Sequence, residues 1–366
     1  MNPDDMCSEL IDLAEASLAL GDAEAAFQLL SQVDEDHRGN RWTATQVQIL
    51  RLNGDFEQCR ELGTLVLDSM VDEEDWPNAT KVLLECARVF NDLMLTQECI
   101  KFLHDVDVKL RTFKSGAGSF RAQVLTILAS RIIDEGDLET ASHLISAAES
   151  ELRMEKDWRL ATSIFWVQSE IAEYSGNVEL AIDLMHDVIR LFEEHDDKLA
   201  GQRAILRMGW LATMYTDLGP EELLLARSWI ESAQESQSGD SLTIVAVWLE
   251  IFSAHIELLQ GNVGRARNIL CALDESSLPS DGSFGSLHWI LALCEIELGN
   301  LGQGMFHLNI AQENYVLFAD DSEGREVLRR LAHLYLDLGH SETGESLLAM
   351  TQRIQYDYSW ARSDCH

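Results

Sequence analysis

The chain has 366 residues, and 63 acidic against 27 basic side chains give it a formal charge of −36. That balance argues against nucleic acid as a direct ligand, because binding a phosphate backbone relies on Lys and Arg to neutralise it; acidity of this size keeps a long particle soluble and favours a basic partner where it clusters. Hydrophobic content of 46% suffices for a continuous core, while the absence of a long uncharged apolar run and of a basic leader argues against a membrane span or signal peptide, so a cytoplasmic protein is expected.

Taken in chain order, helical patterns alternate with one recurring turn signature, Gly-(Asp/Asn)-x-x-x-Ala. It stands at Leu20–Ala26, Asn53–Cys59, Gly136–Ala141, Gly176–Ala181 and Gly261–Ala266, with weaker copies at Met94–Cys99, Gly219–Ala226, Gly299–Gly304 and Gly339–Gly344. The spacing of the nine anchors, 33 to 43 residues, is the range that marks stacked helix pairs. Glycine at the turn supplies the positive φ that stops one helix, and the Asp or Asn beside it can cap the next. Segments Arg111–Arg121, Ser236–Ser241 and Glu275–Ser286 read as loops from their Gly, Ser and Pro content, and the chain after Tyr356 as a frayed end. The sequon Asn78-Ala79-Thr80 reads as a helix start.

Two columns of small residues run through the repeat. Seven residues before each anchor stand Ala14, Val47, Ala87, Ala129, Ser169, Ala212, Ala254, Ala292 and Ala332. Early in each second helix stand Ala26, Cys59, Cys99, Ala141, Ala181, Ala226, Ala266, Gly304 and Gly344. Helix axes that approach closely leave room only for such side chains. Cys59 and Cys99 therefore read as core filler, and with seven cysteines and no CxxC pair the chain fits a reducing compartment. Bulky residues four positions before the anchors (Leu50, Phe90, Ile132, Tyr215, Tyr335) fill the space between pairs, although Ser17, Ala172, Glu257 and Glu295 break that column.

With these residues the chain resembles the tetratricopeptide repeat (TPR) family over roughly Cys7 to Ile354. It departs from the family in its units of nearly forty residues, in its missing first-helix Trp column and in lacking a closing Pro. Long units of this kind are similar to those in the sensor regions of bacterial transcription regulators and in kinesin light chain. HEAT and armadillo repeats share the period but do not require both small columns. The resemblance implies an all-α, right-handed superhelical solenoid of about nine antiparallel helix pairs over residues 1–356, followed by a tail at 357–366. It also implies a groove lined by the first helix of each pair. The residues at the groove positions are Arg41, Gln48, Arg51, Lys81, Arg88 and Asn91 with Arg131 beside them, then Trp166, Trp248, His255, Trp289, Arg329 and His333. The family's clamp for a C-terminal carboxylate is not matched, since its positions hold Ile11, Glu15, Ala44, Gln48, Leu84 and Arg88.

The five early cations suit an acidic or C-terminal peptide, because Arg forks fit carboxylates; equally, they can pair with neighbouring Asp and Glu. The three tryptophans are either anchors for a partner's apolar side chains or packing against the next first helix. No HExxH, GxSxG, Walker or Gly-rich phosphate motif occurs, and the eleven histidines show no metal-ligand spacing. The expectation is a non-enzymatic protein- or peptide-binding scaffold with neither cofactor nor metal, no membrane contact and self-association open. The alternative is the ligand- or peptide-sensing part of a bacterial transcription regulator whose DNA-binding part lies elsewhere. An enzyme with groove carboxylates such as Glu170 has no support from spacing.

Overall fold

The computed structural model describes residues 3–113, 117–152, 157–214, 220–236, 244–275, 278, 282–318 and 322–352. Among these the chain forms eighteen α-helices and no strand. They pair as α1 (Pro3–Ala19) with α2 (Ala23–Leu30), α3 (Asn40–Leu52) with α4 (Phe56–Asp72), α5 (Trp76–Asp92) with α6 (Thr96–Leu110), α7 (Gly118–Glu135) with α8 (Leu138–Leu152) and α9 (Trp158–Tyr174) with α10 (Val178–Glu194). The later pairs are α11 (Lys198–Met214) with α12 (Pro220–Ser236), α13 (Ile244–Leu259) with α14 (Val263–Cys271), α15 (Ser283–Glu297) with α16 (Leu301–Tyr315) and α17 (Ser322–Asp337) with α18 (Ser341–Met350). The fold is therefore all-α and TPR-like. No described helix is long and apolar enough to cross a membrane.

The described turns reverse the chain in the same way. Gly21, Gly54, Gly136, Gly176, Gly261, Gly299 and Gly339 all take a positive φ near +80°, and Met94 takes the same region without being glycine (φ 57). Just after each, an amide reaches back five residues, as in Asp22 N–H to the Ser17 carbonyl (2.9 Å), Leu95 to Phe90 (2.8 Å) and His340 to Tyr335 (2.8 Å). That bond closes the first helix and frees the chain to reverse. Asp22, Asp137 and Asn177 also cap the following helix with their side chains, at 2.9, 3.0 and 3.3 Å. Asn262 and Asn300 do not cap; they donate to Glu257 (2.8 Å) and Glu295 (2.7 Å). These are the two carboxylates that break the bulky column. Each is nearly fully buried and held further by arginine, Glu257 by Arg227 and Arg265 (both 3.2 Å) and Glu295 by Arg267 (2.5 Å).

The two small columns meet inside each hairpin. The Cys59 thiol donates to the Val47 carbonyl (3.3 Å), and the Ser169 hydroxyl to the Ala181 carbonyl (2.9 Å). A Cβ on Gly344 would stand 2.9 Å from the Ala332 carbonyl oxygen, closer than atoms tolerate. Both columns are buried throughout except Ala87, which is half-buried, while its neighbour Cys86 is fully buried against Gly63 of α4. Burial pushes the Cys59 thiol up to about 11, as befits an inert packing residue.

By contacts the helices fall into two compact units, the first covering Met1–Ile133 and Asp137–Val167, the second Asp134–Gly136 and Gln168–Tyr356. In the first, α1 packs on α3 and α3 on α5, and Trp76 lies between Phe113 and Phe120 at ring distances of 5.6 Å. In the second, α11 packs on α13 and α13 on α15. Two of the loops expected from composition are shorter than their sequence suggests. Gly118–Arg121 already belongs to α7, and Ser283–Ser286 form the buried first turn of α15 after Gly282 takes φ +87°. There, burial of Phe120 and of Ser286 outweighs local glycine and serine content. The turn at Gly219, most of Ser236–Ser241, part of the other two loops and the chain after Tyr356 lie outside the described residues. Asn78 sits in the first turn of α5, donating to the Asp75 carboxylate at 2.9 Å.

Candidate functional site

In the first unit, successive first helices bring the early polar residues of the chain together. On α1, Asp12 and Glu15 are one turn apart and share a face; on α5, Lys81, Glu85 and Arg88 follow at spacings of four and three and do the same. Arg41 of α3 donates to Glu15 through Nη2 (2.5 Å) and Nε (3.2 Å) and to Asp12 (2.5 Å). Lys81 of α5 reaches the same Glu15 carboxylate at 2.8 Å, so one acid on α1 ties down cations from the next two first helices. Glu85, nearly fully buried, accepts from Arg51 of α3 and from Arg88 (2.6 Å). Further along, Arg131 of α7 donates to the Asn91 side-chain oxygen at 2.7 Å. Gln48 is half-buried on α3.

Charges held this way are rigid and partly wet. Burial pushes the Glu15 carboxyl up, but hydrogen bonds from Arg41 and Lys81 outweigh it and leave the group below the usual carboxylate range. The cations themselves stay open to solvent, with side-chain exposures of 37% for Arg41, 38% for Lys81 and 54% for Arg88. The arrangement holds these donors in fixed positions that partly face solvent. Asp12, Glu15 and Glu85 were not singled out from sequence. Only Glu85 carries a local signal, its spacing of three from Arg88 on one face of α5; Asp12 and Glu15 meet their cations across helices.

The second unit treats its residues differently. His255 of α13 and Trp289 of α15 are 4% and 6% exposed and meet edge to face, ring centroids 5.4 Å apart, so Trp289 packs on the preceding first helix. Trp248 is half-buried and stacked on Phe252 at 5.4 Å. Arg329 and His333 of α17 are exposed, Arg329 bonded to Glu326 at 2.7 Å. Trp166, the last of the predicted groove residues, is half-buried on α9 within the first unit.

What sequence reasoning did not anticipate is a buried polar link across the first helices of this unit. Arg207 of α11, buried, pairs with the buried Glu173 of α9 and with Glu323 of α17, and the Trp210 indole donates to Glu173 at 3.3 Å. Also from α17, Arg330 donates to the Met214 carbonyl and Arg325 to the Asp134 carbonyl (2.6 Å). First helices far apart in sequence are thus stitched together inside the second unit. His255 and Trp289 lie within its packing and do not line an open channel.

No known family model matches the sequence, and no curated protein is significantly similar to it. Among solved structures it is similar to a Rap protein in complex with competence and sporulation factor, at 11% identity over 95% of this chain and 97% of that one with a TM-score of 0.49. It is likewise similar to NprR in complex with its cognate peptide NprX, at 12% identity over 91% and 99% with a TM-score of 0.49. A third is the human IFIT1 dimer with m7Gppp-AAAA, at 13% identity over 92% and 79% with a TM-score of 0.46. At these identities and scores the likeness says nothing of ligand, and the helix-pair architecture stands on the contacts described above.

Proposed function

We propose that the chain is a non-enzymatic, protein- or peptide-binding helical-repeat module whose recognition face is the first-helix side of the first unit. One observation carries this reading: Arg41, Lys81 and Arg88 project from successive first helices, half open to solvent and fixed in place by Glu15 and Glu85. Ordering long side chains is a principal cost of binding, and here intramolecular carboxylates have already ordered them. An acidic segment or a C-terminal carboxylate then replaces water on the exposed donors. Arg forks favour such groups over other anions of poorer planar fit.

The test is an array of immobilised acidic and C-terminal peptides probed with the wild-type chain and with the Arg41→Ala, Lys81→Ala, Arg88→Ala triple variant. Retained peptides should lose at least tenfold in affinity on the variant, with neutral amidated controls unaffected. Equal retention on both chains would remove the recognition face from the first unit's cations.

A further inference from the structure

Cys7, on the second turn of α1, is 4% exposed and lies in the apolar cluster with Ile11, Leu30 and Val33. Asp34 follows Val33 directly and opens the 3-10 turn Glu35–His37, standing at its N-cap position without making a capping hydrogen bond. His37, half-buried, closes that turn. The Cys7 Sγ, an Asp34 carboxylate oxygen and a His37 ring nitrogen all lie within 4.8 Å of one another. Sequence spacing gives no hint of this set, because Cys7 is far from the other two and only the first hairpin brings them together.

We propose that Cys7, Asp34 and His37 bind a zinc-class divalent cation, with water in the fourth position. Thiolate, imidazole and carboxylate are the three donor types zinc takes, whereas magnesium and calcium demand oxygen alone. Bonds of roughly 2.0–2.3 Å place tetrahedral donors about 3.3–3.8 Å apart, so the triangle must contract by about an ångström. Rotation of the Asp34 and His37 side chains supplies that movement while Cys7 stays on its helix. Thiolate and carboxylate together neutralise a divalent charge. As the sulfur–metal bond forms, the thiol proton passes to solvent, one proton per ion. The ion fastens the start of α1 to the chain leaving α2.

The test uses the full chain, reduced and freed of metal with a chelator, in a Cys271→Ser, Cys365→Ser background that removes the exposed Cys271 and the cysteine next to the C-terminal histidine. Titration with Co2+ should give one equivalent bound with a near-ultraviolet thiolate-to-metal band and intense tetrahedral visible bands, both bleached by Zn2+. Cys7→Ser should abolish the thiolate band; Asp34→Asn and His37→Asn, which alter side chains at the edge of the apolar cluster, should each weaken Co2+ binding at least tenfold with helical circular dichroism unchanged. A wild-type titration without these bands would overturn the assignment, and so would bands that persist in Cys7→Ser or affinities unmoved in Asp34→Asn and His37→Asn.

Discussion

Replacing His255 with Phe should flatten the acid sensitivity of the second unit. Burial, and secondarily the nearby Arg330 charge, lowers the His255 imidazole from its ordinary 6.5 to about 3. The native state therefore keeps it neutral, while the unfolded chain takes up a proton as pH falls through 6.5. Its contribution is intact above that value and declines by about 1.4 kcal/mol per pH unit below it until the folded value is reached. Between pH 7.5 and 5.0 the loss is about 2 kcal/mol, or roughly thirtyfold in a local opening constant. Phe retains a ring against Trp289 but cannot protonate. The Glu250 carboxyl on α13, which burial pushes up, and the lowered His186, His288 and His307 act equally on both chains. Hydrogen exchange of α13 and α15 peptides, followed by mass spectrometry, reads the opening free energy locally, as suits a repeat protein. Protection in the wild type should fall about thirtyfold more on acidification than in His255→Phe. Parallel losses in the two chains would refute the link between burial of this imidazole and stability.

Arg207→Met should destabilise the second unit by about 3–5 kcal/mol, because it strands the buried Glu173 carboxylate, whereas Glu323→Gln, at a half-exposed position, should cost less than about 1 kcal/mol. Adding Glu173→Gln to Arg207→Met should recover most of the loss; urea unfolding of the three chains checks the order. Gly344→Ala should cost about 1–3 kcal/mol, since the new methyl meets Leu336 and the Ala332 carbonyl, while Gly302→Ala, which faces open space on α16, should gain about 0.5 kcal/mol. Melting temperatures of the pair decide it. For an acidic peptide captured on the first unit, raising salt from about 50 to 200 mM should increase both rates seen by surface plasmon resonance, because screening relieves long-range repulsion from the −36 charge and weakens the short contacts.

Architecture was legible in the sequence because the device that makes it is local. A turn glycine, the small residue seven positions before it and the small residue opposite act within one hairpin, and Cys59 on Val47 or Ser169 on Ala181 shows the two columns in contact. Met94 was legible for the same reason: its neighbours fix the period strongly enough to hold a non-glycine at φ 57. What resisted was pairing between helices. Glu257 and Glu295 looked like faults in an apolar column, yet each is a buried acid clasped by an Asn five residues on and by Arg from a second helix. The Arg207 link spans 116 residues to Glu323, and no local pattern encodes it. On the proposed recognition face the cations and their spacing are readable in the sequence, but their partners on α1 depend on how three first helices stack.

The arginines follow a rule that bears on recognition. Every buried carboxylate among the described residues, Glu85, Asp107, Glu173, Glu257 and Glu295, holds at least one Arg: Arg51 and Arg88, Arg111 and Arg121, Arg207, Arg227 and Arg265, and Arg267 respectively. A buried acid without a partner would be strongly destabilising, so a chain with 27 basic against 63 acidic side chains spends scarce cations inward first. Of the arginines involved only Arg207 is itself buried, and the others clasp their acids from the surface. On the function proposed above, an acidic ligand would be repelled by most of the surface and would meet clustered cations on the stack of α1, α3 and α5, where Glu15 and Glu85 hold Arg41, Lys81 and Arg88. The same acids that neutralise these cations limit affinity, since a ligand carboxylate gains only the donors left facing water. Under that proposal recognition would be selective through geometry and modest in strength, the balance expected of a reversible binding module.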